Sequence, residues 1–132
     1  MDKQQSIVID IDDTICFTNH DYNDATQKYA NALPNNKIIH GMRILKDQGF
    51  YIILLTARRM LTFNGDIEKI KEDVGQITTD WLEKYDVPYD ELIWGKPYCT
   101  TYYVDDKAMN LEEFTRWTNT LEILKTERVR ST

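Results

Sequence analysis

"IVIDIDDTIC", residues 7–16, joins a run of apolar, β-branched side chains to three carboxylates in four residues, Asp10, Asp12 and Asp13. Short, apolar at consecutive positions and β-branched, residues 6–11 read as a buried strand. Strand packing gives no reason to end in concentrated negative charge. Carboxylates this close repel one another unless a cation sits among them. The end of this strand is therefore the place to look for chemistry, and the question becomes what else the chain brings there.

Three more stretches read as strands: "FYIILLT" (50–56), "ELIWG" (91–95) and "TYYV" (101–104). Residues 17–37 are polar and poorly periodic, a loop with a short helical piece. Residues 38–48 put Ile38, Met42 and Leu45 on one helical face, and Gly49 stands where a helix is closed. After a loop over 57–66, Ile67, Ile70, Val74, Ile77, Trp81 and Tyr85 fall at steps of three and four, the mark of an amphipathic helix over 67–85. Gly75 weakens that helix at its middle, and Asp86 and Pro88 end it. Asn110 caps a helix opening at "NLEEFTRW", and a last helix is expected over 119–129. Strands that alternate with helices and are apolar on both faces give an α/β fold: a three-layer, Rossmann-like core around a central parallel sheet. In such sheets ligands bind beyond the carboxyl ends of the strands.

With 132 residues, five glycines and three prolines, the chain has no long flexible linker, and residues 1–132 are expected to form one domain. A net charge of −6 argues against a nucleic-acid surface, which needs a basic stripe. No apolar run approaches a membrane span, and "MDKQQS" is too polar to begin a secretory signal, so no membrane is expected and the cytoplasm is the expected compartment. Cys16 and Cys99 lack metal-ligand spacing and are expected as free thiols. His20 and His40 stand singly, with nothing in sequence to make either catalytic.

Immediately beyond the four strands come Asp10 and Asp12, Thr56, Lys96 within "GKP", and Asp105 with Asp106. Each alone has an ordinary explanation: a turn, a strand-end hydroxyl, a solvated lysine, acids at a helix start. Parallel strands, however, present all their carboxyl ends on one edge. Carboxylates, a hydroxyl and an ammonium converging there suit a hard divalent cation, Mg²⁺, and a phosphoryl group. A carboxylate among them can act as a nucleophile and form an aspartyl phosphate.

"IVIDIDDT", "ILLTAR", "GKP" and "YYVDDKA" resemble, in order, the four motifs of the haloacid dehalogenase (HAD) superfamily, over residues 6–114. The loop and helix wording between them is similar to that of small phosphatases encoded in capsular-polysaccharide biosynthesis clusters. The resemblance implies a HAD-type phosphatase, a phosphoric monoester hydrolase acting on a small phosphorylated metabolite such as a sugar phosphate in polysaccharide precursor synthesis. It implies Asp10 as nucleophile and Asp12 as general acid and then base. Asp10, the backbone carbonyl of Asp12 and the pair Asp105 and Asp106 would hold Mg²⁺, with Asp106 favoured as the direct ligand. Thr56 would bind a phosphoryl oxygen, and Lys96 would balance the charge of nucleophile and phosphate. Residues two apart on an extended strand project the same way, which suits Asp10 and Asp12 to adjacent tasks and sends Ile11 into the core.

Asp13 stands where this superfamily often has glycine. Asp tolerates positive φ better than most residues, so a backbone substitute is the simpler expectation. Arg58, directly after "TA", is a candidate substrate-binding fork, against a solvated loop pair with Arg59. Neither 17–37 nor the stretch between Thr56 and Lys96 holds a separate cap domain. Tyr22, Tyr29, Met60 and Phe63 are then available as lining, and an uncovered site allows a homo-oligomer. Other readings are a phosphatase of nucleic-acid ends or nucleotides, a phospho-acceptor receiver-like signalling domain, and a catalytically dead metal-binding or interaction protein on the same fold. A receiver orders its acids differently: its phosphorylated Asp ends the third strand, where this chain has none. The dead-protein reading would need a lost motif, and none is lost.

Overall fold

In the computed structural model, which describes residues 5–19 and 21–131, three parallel strands form the central sheet, flanked by helices. His20 lies outside the described residues, as do residues 1–4 of the "MDKQQS" start. The strands are β1 (Ser6–Asp10), β4 (Tyr51–Thr56) and β5 (Glu91–Trp94), in the order β1-β4-β5. Between β1 and β4 come a two-residue β2 (Cys16–Phe17), α1 (Ala25–Ala30), β3 (Leu33–Pro34) and α2 (Asn36–Asp47); β2 and β3 pair antiparallel as a small separate ribbon. Helix α3 (Ile67–Lys84) connects β4 to β5, and α4 (Leu111–Ser131) closes the chain. This is the Rossmann-like α/β core that the strand and helix pattern predicts.

Register fixes where the polar residues go. Asp10 pairs with Leu55 and Thr56 with Trp94, so the ends of all three strands share one edge. Along β4, Ile52, Leu54 and Thr56 are buried while Tyr51, Ile53 and Leu55 are partly so, the alternation of a pleated strand. The main core joins Ile9, Ile11 and Ile15 to Met42 and Leu45 of α2, Trp81 and Leu82 of α3, and Phe114 of α4. Full burial of each such aliphatic side chain contributes roughly 1.5–3 kcal/mol. A second, smaller cluster packs Tyr29 of α1 against Ile70 and Val74 of α3, with Met60 and Phe63 of the 57–66 loop.

Helix ends follow their sequence signals. Asp66 caps α3, accepting the Lys69 N–H at 3.3 Å. Asn110 and Glu113 form a reciprocal capping box at the start of α4, at 2.8 and 3.1 Å. Gly49 takes φ 89° just past α2.

Two expectations are corrected. The helices expected at 110 and at 119–129 are one continuous helix. The expected fourth strand, "TYYV" (101–104), is irregular and exposed, with Val104 97% accessible. The cause is local. Tyr103 Oη donates to the Pro97 carbonyl at 2.6 Å, and the Lys96 ammonium sits 4.1 Å from the Tyr103 ring centroid. These contacts fold the segment back on the Lys96 turn instead of laying it along a ladder, and strand propensity without a partner strand is not enough.

Candidate active site

Asp10 is the last residue of β1, and its carboxylate meets two side chains. Lys96 Nζ lies 3.2 Å from Oδ1, and Thr14 Oγ1 donates to Oδ2 at 3.3 Å. Lys96 arrives from a turn that caps β4: the N–H groups of Gly95 and Lys96 both donate to the Thr56 carbonyl, at 3.2 and 3.0 Å. Gly95 adopts φ 103°, a conformation that excludes ordinary side chains, so glycine at this position is what lets the chain turn back toward β4. Burial pushes the Asp10 carboxyl above its ordinary value of 3.8; the charge of Lys96 opposes that shift, and the nearby Asp12 adds to it.

Asp12 lies in the turn after β1, with Ile11 between the two acids fully buried, as the spacing predicts. Its carboxylate is held from below. Arg58 Nε donates to both Oδ1 and Oδ2 at 3.0 Å, and Thr18 Oγ1 donates to Oδ1 at 3.4 Å. Asp13 adopts φ 58°, the left-handed conformation expected of a residue in a glycine's place, and its carboxylate accepts the Thr18 N–H at 3.2 Å. Thr56 is fully buried at the end of β4, where its Oγ1 accepts the Arg58 N–H at 3.0 Å and keeps its own O–H to donate.

Arg58 differs most from expectation. Its guanidinium does not face the crevice as a substrate fork; the residue is 3% exposed and turned under Asp12. Nη1 donates to Thr78 Oγ1 at 2.8 Å, Nη2 lies 4.0 Å from Cys16 Sγ, and the Tyr29 ring centroid lies 4.2 Å from Cζ. Arg59 turns the other way, to Asp73 at 2.8 Å. Tyr29 is thus no open lining but buried support for the guanidinium, and Tyr22 is exposed. Sequence reading missed Thr78. The available signal was a hydroxyl four residues after Val74, on the apolar stripe of α3.

Asp105 and Asp106 lie on the exposed segment before α4, just beyond Tyr103, which packs on the Lys96 turn. Asp105 accepts the Lys107 N–H at 2.9 Å, which together with Asp106 holds its carboxyl below the ordinary range. Among the described residues no three His, Cys, Asp or Glu side chains converge as a metal site. The donors expected for Mg²⁺ are the Asp10 carboxylate, the Asp12 backbone carbonyl and the acidic pair; here the Asp10 carboxylate faces Lys96, and Asp105 and Asp106 are exposed on the segment before α4.

A crystal structure of a structural-genomics target from Vibrio cholerae is 35% identical to this chain, covers 89% of it and 96% of its own length, and superposes with a TM-score of 0.76. The chain belongs to the family of that protein. Chains in two structures of the Pnkp1/Rnl/Hen1 RNA repair complex are 20% and 24% identical, cover 91% and 78% of this chain but 32% and 31% of their own, and give TM-scores of 0.52. At those identities the likeness concerns the fold. No family model and no curated protein matches the chain. Among the described residues, no helix is long and apolar enough to cross a membrane.

Proposed function

We propose that the chain is a HAD-type phosphatase that hydrolyses phosphate monoesters through an aspartyl phosphate on Asp10. The observation that carries this reading is Asp10 itself: a partly buried carboxylate at a parallel-strand end, 3.2 Å from an ammonium, with a second, separately held carboxylate two residues on. The Asp10 oxygen attacks phosphorus as the ester P–O bond breaks, and Asp12, which enters this step as the neutral acid, gives its proton to the leaving oxygen. Asp12, now a carboxylate, takes a proton from water. The water oxygen attacks phosphorus, the acyl-phosphate P–O bond breaks, and inorganic phosphate leaves with Asp10 restored. Lys96 offsets charge where nucleophile and phosphate meet, and the Thr56 hydroxyl is a donor for a phosphoryl oxygen.

Mg²⁺ enters the proposal through charge. A phosphate dianion beside ionised Asp10 leaves Lys96 outweighed, and Arg58 is buried against Asp12 instead of facing the phosphate. A small phosphorylated metabolite, such as a sugar phosphate, is the proposed substrate class. A nucleic-acid end is the second reading, favoured by the fold likeness to chains of an RNA repair complex and opposed by the net charge of −6.

The test is a screen of phosphorylated metabolites, nucleotides and oligonucleotides with terminal phosphates, in Mg²⁺, on wild type and Asp10→Asn. Turnover is expected on small esters, with a loss of about 10⁴-fold or more in the variant, the scale of deleting a nucleophile. Wild-type turnover in Asp10→Asn overturns the mechanism. Preference for the oligonucleotides moves the substrate to the second reading.

A further inference from the structure

We infer that Arg58 is a positioning residue for proton transfer, fixing the Asp12 carboxylate through a buried bracket of Thr78, Tyr29 and Cys16, and is not a phosphate ligand. The inference rests on the reading of Asp12 as acid and base given above.

A phosphate-binding arginine presents its planar fork to solvent, where two parallel N–H groups meet two oxygens. The Arg58 side chain is 1% exposed and addresses Asp12 through Nε alone, at equal distances from both oxygens. Each remaining face of the guanidinium meets a different element. Thr78 Oγ1 accepts Nη1 at 2.8 Å while donating its own proton to the Val74 carbonyl at 2.7 Å, so the hydroxyl is locked in the acceptor sense toward Arg58. The Tyr29 ring of α1 lies 4.2 Å from Cζ, and Cys16 of β2 lies by Nη2. Burial pushes the Cys16 thiol up to about 11, with the negative charge of Asp12 adding to the effect, so it stays neutral beside the cation. Arg58 is also tied at its backbone, donating its N–H to Thr56. Arg58, through its backbone N–H and its guanidinium, therefore links the end of β4, helix α3 and helix α1 to a single carboxylate. Apart from weaker contacts of Oδ1 with Thr18 Oγ1 and Cys16 Sγ, this bracket sets where the Asp12 oxygens stand relative to the leaving group on a phosphorus attacked by Asp10.

The consequence is selective. Losing the bracket costs most when the leaving alcohol needs a proton and least when it leaves as a stable anion. The experiment measures kcat/KM, which reports steps through phosphoenzyme formation, for phosphate monoesters whose leaving groups run from nitrophenols to alkyl alcohols. Wild type, Arg58→Ala, Arg58→Lys, Thr78→Val and Asp12→Asn are compared. Arg58→Ala is expected to lose about 100-fold on alkyl esters and less than about threefold on the nitrophenyl esters, matching the slope of Asp12→Asn. Thr78→Val, nearly isosteric and with α3 otherwise intact, is expected to show the same trend more weakly. Inhibition by inorganic phosphate is expected to be unchanged in both.

Equal losses across the series, or weakened phosphate inhibition, would overturn the inference in favour of a structural or phosphate-binding Arg58. If Arg58→Ala is too unstable to assay, parallel slopes for Thr78→Val and wild type overturn it. If Asp12→Asn itself keeps full activity on alkyl esters, the parent mechanism fails instead, and the two failures are told apart.

Discussion

Asp10 carries a conflict between folding and function that a single residue can report. Its carboxyl is pushed above the ordinary value by burial, even with Lys96 opposing. A raised carboxyl binds its proton more tightly folded than unfolded, so ionising it works against the fold. Stability from this residue is present below the ordinary value of 3.8 and is lost as pH rises through the raised one. In EDTA at pH 7, Asp10→Asn is therefore expected to unfold at a higher temperature than wild type, with the gap shrinking as both are brought toward pH 4. A midpoint at pH 7 equal to or below wild type would contradict this. Asp10 and Asp12 were legible as a pair because strand geometry alone makes residues two apart neighbours. Arg58 was not legible. Which of two adjacent arginines turns inward depends on Thr78, twenty residues on, and on a loop where Arg59 takes φ 59°.

At the scale of elements, helices were easier to read than the last strand. The three-and-four spacing of α3 runs through Gly75 unbroken, and a side chain there would meet nothing nearer than the Lys71 Cβ at 3.8 Å, so the glycine is not a packing requirement. "TYYV" has the composition of a strand, but composition does not say whether a partner is in reach, and Tyr103 goes to Pro97 instead. Gly41 shows the opposite case, a glycine that packing needs. It lies on α2 where α4 crosses, and a Cβ there would stand 2.7 Å from both the Phe114 ring and Thr118 Oγ1. Both belong to the face by which α4 is buried, so neither can swing into solvent cheaply. Gly41→Val is expected to destabilise by about 1–3 kcal/mol, the usual cost of overpacking, read from the urea midpoint. Gly41, Phe114 and Thr118 carry none of the proposed chemistry, so kcat should hold while stability falls. A midpoint unchanged in Gly41→Val would mean the crossing has slack that the contact distances deny.

The molecule as a whole is acidic, with a net charge of −6, and is proposed to take an anion to a carboxylate. Lys96 supplies one compensating charge at the site, and the remaining acids that chemistry would assign to Mg²⁺ lie on the exposed segment leading into α4. If the cation is part of the enzyme, Asp10 and the Asp105–Asp106 pair are the acids that would hold it. Cation binding then has a readout independent of catalysis. Mg²⁺ is expected to raise the unfolding midpoint, since a ligand at a hundred times its Kd adds about 2.7 kcal/mol to the folded state. It is also expected to slow tryptic cleavage after Lys107, which is exposed. Asp105→Asn with Asp106→Asn should abolish both responses, and EDTA should abolish turnover in wild type until Mg²⁺ is restored. Identical midpoints and cleavage rates with and without Mg²⁺, in a protein that still turns over phosphate esters in EDTA, would remove the cation from the mechanism and leave Lys96 as the charge that the chemistry uses.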